Sequence, residues 1–188
     1  YFSAENRTAK VRAIPGEGLD VPIWLLGSST YSAHLAAILG MPFAFASHFA
    51  PTYLHAALQL YTSNFTPSDT LKKPYALACI NVIAADTDEE ANHIATSFFQ
   101  LAMGIIHGSA KPLPPPVENM DPMWSEPEKA AILQMMKYTF IGGPQTIKVK
   151  LEQFLSDTHV DEIMVTSHIY NHDKRINSYE ILSQIWQQ

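Results

Sequence analysis

The sequence predicts an α/β protein: four parallel βα units, half of a (β/α)8 TIM-type barrel, with an extra helical excursion between the third and fourth strands. Three observations carry that expectation. Short apolar runs alternate along the chain with segments of helical periodicity, the order of parallel strands and their crossover helices. The run Tyr75 to Ala85 is too continuously apolar for a half-exposed strand and suits one covered on both faces. A closed barrel of this type usually needs about 250 residues, whereas these 188 residues carry half its strands.

The elements follow in order. A lead-in from Tyr1 to Asp20 has turn signals at Pro15-Gly16 and Gly18. A strand over Val21 to Leu26 and a small-residue helix over Tyr31 to Leu39 form the first unit. The second pairs a strand at Met41 to Ala46 with a helix from about Pro51 to Asn64, broken by Pro67-Ser68-Asp69. The third strand, Tyr75 to Ala85, leads to a helix opening at Thr87, with Glu90 in capping-box position, and ending near His107.

The rhythm then breaks. Lys111 to Pro122 is proline-rich and must be an extended loop. Ser125 and Glu128 form another capping-box pattern, opening a helix to about Tyr138. Gly142-Gly143-Pro144 starts a further helix with proline in its first turn. These make an extra helical excursion between the third and fourth strands. Glu162 to Thr166 is the fourth strand and Ser178 to Trp186 the closing helix. The strands are expected in sequential order with helices on the outer face.

Composition narrows the functions. Residues 1–188 suit a single domain, 47% apolar and 16% charged. The net charge of −6 argues against a nucleic-acid or anionic-membrane surface, and no apolar run is long enough to cross a bilayer. The polar opening YFSAENRTAKVRAIPGEG lacks the apolar h-region of a signal peptide. Cys79 is a lone cysteine in an apolar run, expected to be buried and inert in a reducing cytoplasm. Because the chain opens at Tyr1 without an initiator methionine, it is expected to be a fragment of a longer protein.

Gly27-Ser28-Ser29-Thr30-Tyr31-Ser32 is the leading site. Ser29 can cap the helix while Ser28 and Ser32 add hydroxyls, and free N–H groups at a helix start favour an anion. The residues alone leave open an ordinary N-cap. The turn is neither a G-x-S-x-G elbow, a G-x-G-x-x-G fingerprint nor a P-loop. His48 follows the second strand on the expected functional rim, as a catalytic group or as a loop histidine held by a hydrogen bond. His168 and His172 suggest metal-ligand spacing but lie outside a clear helix with no cysteine near, so no metal is expected. Gly142-Gly143-Pro144-Gln145-Thr146 is a second conceivable anion turn, better explained as a plain helix start. Asp86 to Glu90 reads as a solvated acidic helix start, and Asp161-Glu162 lie at the stability face.

The blocks PIWLLGSSTYSAHLAAILGMPFAFASHFAP, PYALACINVIAADTDEEA, GGPQTI and VDEIMVTSHIYNHDKRINSYEIL together resemble the carboxyl-terminal half of bacterial luciferase-like flavin monooxygenases. The likeness is nearest to an alkanal-monooxygenase-like bacterial branch and spans roughly Pro15 to Trp186. It implies a barrel enzyme that uses reduced FMN and dioxygen on an aldehyde-like or other small organic substrate, with a flavin reductase as a conceivable partner. The resemblance places the flavin phosphate partly on Ser28, Ser29 and Ser32, although luciferase itself has an acidic residue where Ser28 falls. It puts His48 near the flavin ring and substrate. The family's catalytic histidine, flavin-ring contacts and phosphate-binding arginine come from the first four strands, whose positions this chain does not match.

Two alternatives stay open at this level: a non-catalytic half-barrel that binds flavin or dimerises, and a family member using F420 in place of FMN. Either way, the exposed inner face of a half-barrel is expected to be covered by a second copy or by an amino-terminal half.

Overall fold

A computed structural model describes residues 2–3, 5, 8–109 and 111–187. The first unit is β1 (Leu25–Gly27) and α1 (Thr30–Leu39), and the second is β2 (Phe43–Phe45) and α2 (Leu54–Ser63), the latter entered through a 3-10 turn at Pro51–Tyr53. Then come β3 (Ala76–Ala84), α3 (Asp88–Ile106), α4 (Glu126–Met135), β4 (Thr139–Gly142), α5 (Pro144–Thr158), β5 (Glu162–Thr166) and α6 (His172–Trp186).

Every strand pairing is parallel. β1 pairs β2, β2 pairs β3 and β3 pairs β5, the sequential order of a half-barrel. The four expected strands are present, and a fifth, β4, corrects their number. β3 is nine residues long and buried throughout, but β2 covers only Ala76 to Ala78. β5 pairs Leu77 to Asn81, overlapping the residues that face β2 and β4. It must therefore take one edge of β3 while β2 and β4 share the other. β4 fills the free length beside Asn81 to Ala84. Four residues wedged between a helix end and Gly143 give too short a pattern to read as a strand.

Side-chain alternation separates two cores. Ala76, Ala78, Ile80, Val82 and Ala84 of β3 pack with apolar residues of α1, α2, α5 and α6. Ile83 and Ala85 point the other way and meet Ala91, Ile94, Ala95, Phe98 and Ala102 of α3, with Ile132 of the neighbouring α4 and its C-cap Met136. The helix after β3 was expected on the outer face; instead the excursion begins with α3 itself and crosses to the opposite face. An apolar stripe fixes how a helix is buried, not which side of a sheet receives it.

Helix ends follow local chemistry. Ser125 and Glu128 make the full reciprocal capping box. Thr87 caps α3 by accepting from the Glu90 N–H at 3.2 Å, but the Glu90 carboxylate pairs with Lys174 on α6, so the second half of that box is absent. Gly40 ends α1 at φ 60°, where a Cβ would sit 2.5 Å from the Thr66 carbonyl oxygen. The closing helix begins at His172 rather than Ser178, capped by Asn171, whose side chain accepts from the Lys174 N–H. Its first turns are polar and exposed, so no apolar period marks them.

Asp88 corrects the reading of a merely solvated acidic start. Its Oδ1 accepts the Gly143 N–H at 2.6 Å and its Oδ2 the Thr146 hydroxyl at 2.9 Å. The carboxylate thus ties the start of α3 to the start of α5. The Gly143 bond, then Thr146 and the nearby Lys150, hold the Asp88 pKa below its ordinary value. A depressed carboxylate adds stability above its unfolded pKa of about 3.9 and loses it as pH falls through the native value. Asp88→Ala should therefore melt below the parent at neutral pH, and the two curves should converge as pH drops below about 4. A gap unchanged down to about pH 2 would assign the effect to something other than the carboxylate.

Candidate functional site

The turn after β1 is built by close packing. A Cβ on Gly27 would lie 2.0 Å from the Ser32 Oγ and 2.4 Å from its Cβ, so only glycine lets α1 start this close to the strand. Ser29 is the N-cap, in extended conformation, and its Oγ accepts from the Ser32 N–H at 3.4 Å. The Ser32 hydroxyl donates to the Ser29 carbonyl at 2.9 Å. The structure thus brings Ser29 and Ser32 together, while Ser28 stands half-buried beside them. The first-turn N–H groups of Thr30 and Tyr31 have no intrahelical acceptor.

No acidic residue occupies the first turn of α1. By contrast α3, α4 and α6 each carry Asp or Glu in theirs, and α5 receives the Asp88 carboxylate. That contact also disposes of the second conceivable anion turn: the Gly142-Gly143 helix start is already filled by the protein's own carboxylate.

A polar knot joins the interior of β3 to the loop after β2, the start of β4 and the end of β5. Asn81 on β3 is fully buried. Its Nδ2 donates to the His48 carbonyl at 3.1 Å and to the Thr139 hydroxyl at 3.3 Å. Its Oδ1 accepts from the Thr166 hydroxyl and lies 3.1 Å from His168 Nδ1. The His168 ring stacks on Phe98 at 4.5 Å between centroids and 6° between planes. His48 donates its backbone N–H to the Cys79 carbonyl, but its ring Nδ1 is buried and unpaired among the described residues. Burial pushes the pKa of both histidines down, and for His168 the neighbouring His48 adds to the effect.

The two histidines and Thr166 line a cavity of about 300 Å³ whose remaining walls are Phe49, Phe98, Leu101, Ile105 and the methionines 135 and 136. Two other hollows lack this convergence. One is an apolar groove beside β5 and Trp186, and the other a cleft at the amino ends of the strands, near Lys73, His159 and Asp161. The placement of Asp161 there, accepting the Ala76 N–H at 2.8 Å, agrees with a stability face.

Sequence reasoning set His48 just past the second strand, and the structure has it in the loop after β2 with its ring Nδ1 unpaired among the described residues. It coupled His168 with His172, and the structure separates them: His172 starts α6 and its Nδ1 accepts from Arg175 at 2.9 Å. Asn81, Thr139 and Thr166 were missed. The signal available for Asn81 was one carboxamide inside an otherwise apolar run. Cys79 is buried and free, its thiol pKa raised by burial.

The sequence profile of the luciferase-like monooxygenases matches residues 1–162. The chain belongs to the luciferase-like monooxygenase family. It is similar to YvbT of Bacillus subtilis (strain 168), with 52% identity over 99% of this chain and 56% of that protein. It is also similar to a luciferase-like monooxygenase of Escherichia coli (strain K12), with 45% identity over 98% of this chain and 55% of the relative. The chain therefore spans about half the length of these relatives.

Among solved structures, apo-MsnO8 superposes with a TM-score of 0.80 at 26% identity, over 95% of this chain and 53% of that one. The oxygenating constituent of Pseudomonas putida 3,6-diketocamphane monooxygenase, in complex with FMN, gives 0.60 at 19% identity over 90% and 49% of the two chains. An F420-dependent secondary alcohol dehydrogenase gives 0.56 at 11% over 90% and 50%. The last two likenesses show the fold alone.

The close packing at β1 has a direct consequence. Gly27→Ala should cost about 1–3 kcal/mol, since the added methyl has no room. Ser32→Ala should not rescue it, because the Ser32 Cβ obstructs as well as the hydroxyl. Thermal melts of the single and double variants check this, and recovery in the double variant would place the conflict on the hydroxyl alone.

Proposed function

We propose that this chain is the cofactor-phosphate half of a flavin-dependent monooxygenase that uses reduced FMN and dioxygen on a small organic substrate. The observation that carries the reading is the turn at Ser28, Ser29 and Ser32: two paired hydroxyls and unsatisfied N–H groups at a helix start without a carboxylate of its own. This donor set fits a phosphate, whose charge complements both the dipole and the hydroxyls. The same turn follows β1, the strand next to β2, whose following loop carries His48. Family membership supports the oxidoreductase class, and the FMN held by one fold neighbour supports the cofactor.

In this reading Ser29, Ser32 and the amides of Thr30 and Tyr31 hold the phosphate, with Ser28 adding a hydroxyl. The reduced flavin supplies the electrons for oxygen activation, and the protein's part is to hold, orient and keep water away. His48 faces the reacting end from the rim. The apolar walls supplied by α3 and α4 exclude water there. F420 in place of FMN is the second reading, favoured by the F420-dependent fold neighbour. A non-catalytic flavin-binding or dimerising half-barrel is the third, favoured by the chain's spanning only half its relatives.

Ser29→Ala combined with Ser32→Ala, in the full-length protein, should weaken FMN binding by roughly tenfold to a thousandfold, because charge-assisted hydrogen bonds contribute about 1.5–3 kcal/mol each. Riboflavin, which lacks the phosphate, should lose much less. Equal losses for the two ligands would make the turn structural, and an unchanged FMN affinity would move the phosphate elsewhere.

The open edges support a partner. Among the described residues β1 and β5 each pair on one side only, and Leu26 and Met164, pointing away from the outer helical layer, are 67% and 53% exposed. These surfaces are covered, in our proposal, by a second copy or by further barrel strands. A stable monomer of the 188-residue chain in sedimentation would contradict this.

A further inference from the structure

We propose that His168 is the hydrogen-bond acceptor of the 300 Å³ cavity: a neutral imidazole, held by Asn81 in the tautomer protonated at Nδ1, that presents its Nε2 lone pair to an O–H or N–H donor on a small apolar ligand.

The assignment follows from which atoms can donate. The His48 carbonyl can only accept, so the group facing it at 3.1 Å must be the amide nitrogen of Asn81. The second proton of that nitrogen goes to Thr139. The oxygen of Asn81 therefore faces β5, where the Thr166 hydroxyl donates to it. That oxygen carries no proton, so His168 Nδ1, 3.1 Å away, must supply one. A neutral imidazole has a single N–H. Once Nδ1 holds it, Nε2 is left as a lone pair, and it has no partner among the described residues.

Nothing near the ring favours a second proton. Among the residues lining the cavity, the only other titratable group is His48, in the loop after β2; α3 contributes Phe98, Leu101 and Ile105, and the end of α4 contributes Met135 and its C-cap Met136. Burial and the neighbouring His48 both lower the His168 pKa. The stack on Phe98 fixes the plane of the ring, and the amide fixes its rotation about that plane. Turning the Asn81 amide over would set its nitrogen against the protons of Thr166 and His168 and its oxygen against the His48 carbonyl. Asn81 is thus a positioning residue, acting on the ligand through His168.

The walls define the occupant's chemistry. Its body is apolar, to suit phenylalanine, leucine, isoleucine and methionine side chains, and it offers a donor at the rim. A molecule that can only accept leaves the Nε2 lone pair buried against it without a proton, a cost of the kind that unpaired polar groups incur. This assignment does not rest on the flavin reading: it concerns the interior of β3 and the end of β5, and the serine turn can lose or keep FMN without altering it.

Two measurements on the intact protein test it. In long-range proton–nitrogen spectra of histidine-labelled protein near neutral pH, His168 should show a protonated Nδ1 and an unprotonated Nε2, and Asn81→Leu should abolish that preference. A wild-type ring protonated at Nε2 overturns the proposal, whether or not the Asn81 variant folds. For the ligand, 1-octanol and heptyl methyl ether have equal numbers of heavy atoms but only the alcohol donates. Binding followed by the His168 ring signals should favour octanol by about two- to tenfold. The preference should vanish in His168→Phe, which keeps an aromatic ring against Phe98 and in which binding is followed by the ring signals of His48, the other histidine of the cavity wall. Equal binding of the two probes, or no response of His168 to either, overturns the acceptor role.

Discussion

Asn81 occupies the point where β3 outruns one neighbour and acquires another. Its fully buried amide spends its hydrogen bonds on the end of β2, on β4 and on β5 with its following loop. A carboxamide in such a place is costly unless every donor and acceptor is met. Meeting them fixes where β2 stops, where β4 begins and how the chain leaves β5. The cavity walls inherit that order, because His48 and His168 are placed by the backbone and side-chain partners of this one residue.

Two helix starts illustrate how the same local physics takes different roles. At α5 the exposed N–H of Gly143 meets Asp88, and the charge that the helix end attracts comes from within the fold. At α1 the first turn carries no acidic residue, and two serine hydroxyls stand there with the open amides. The first arrangement locks elements together; the second leaves a charge preference unmet by the chain itself. Glycines accompany both, but Gly27 is required by the nearness of Ser32, a contact made by side chains and not by unusual dihedrals.

How far the sequence was legible depended on the range of the interactions involved. Four strands, most helix bodies and the Ser29 cap could be read because alternation, helical period and capping act over a few residues. β4 could not, since four residues become a strand only where β3 has bare edge to offer. The first turns of α6 were hidden by polar residues with no apolar period. The side of the sheet taken by α3 was invisible because its stripe fits either. Asn81 was the hardest: its meaning depends on Thr139 and Thr166, 58 and 85 residues away, so nothing in its neighbourhood announced more than an oddly placed amide.

The passage of α3 and α4 to the second face divides the labour of the fold. The sheet and its outer helices form one apolar cluster, and the excursion forms another around Ile83 and Ala85. Leu101, Ile105 and the methionines of α4 shape the cavity from this second body, while the serine turn belongs to the first. Changes in the excursion can therefore resize or recontour the chamber with the strand scaffold left standing. Diversification of what the chamber admits is decoupled from upkeep of the scaffold, so a lineage can explore new molecules on an inherited frame.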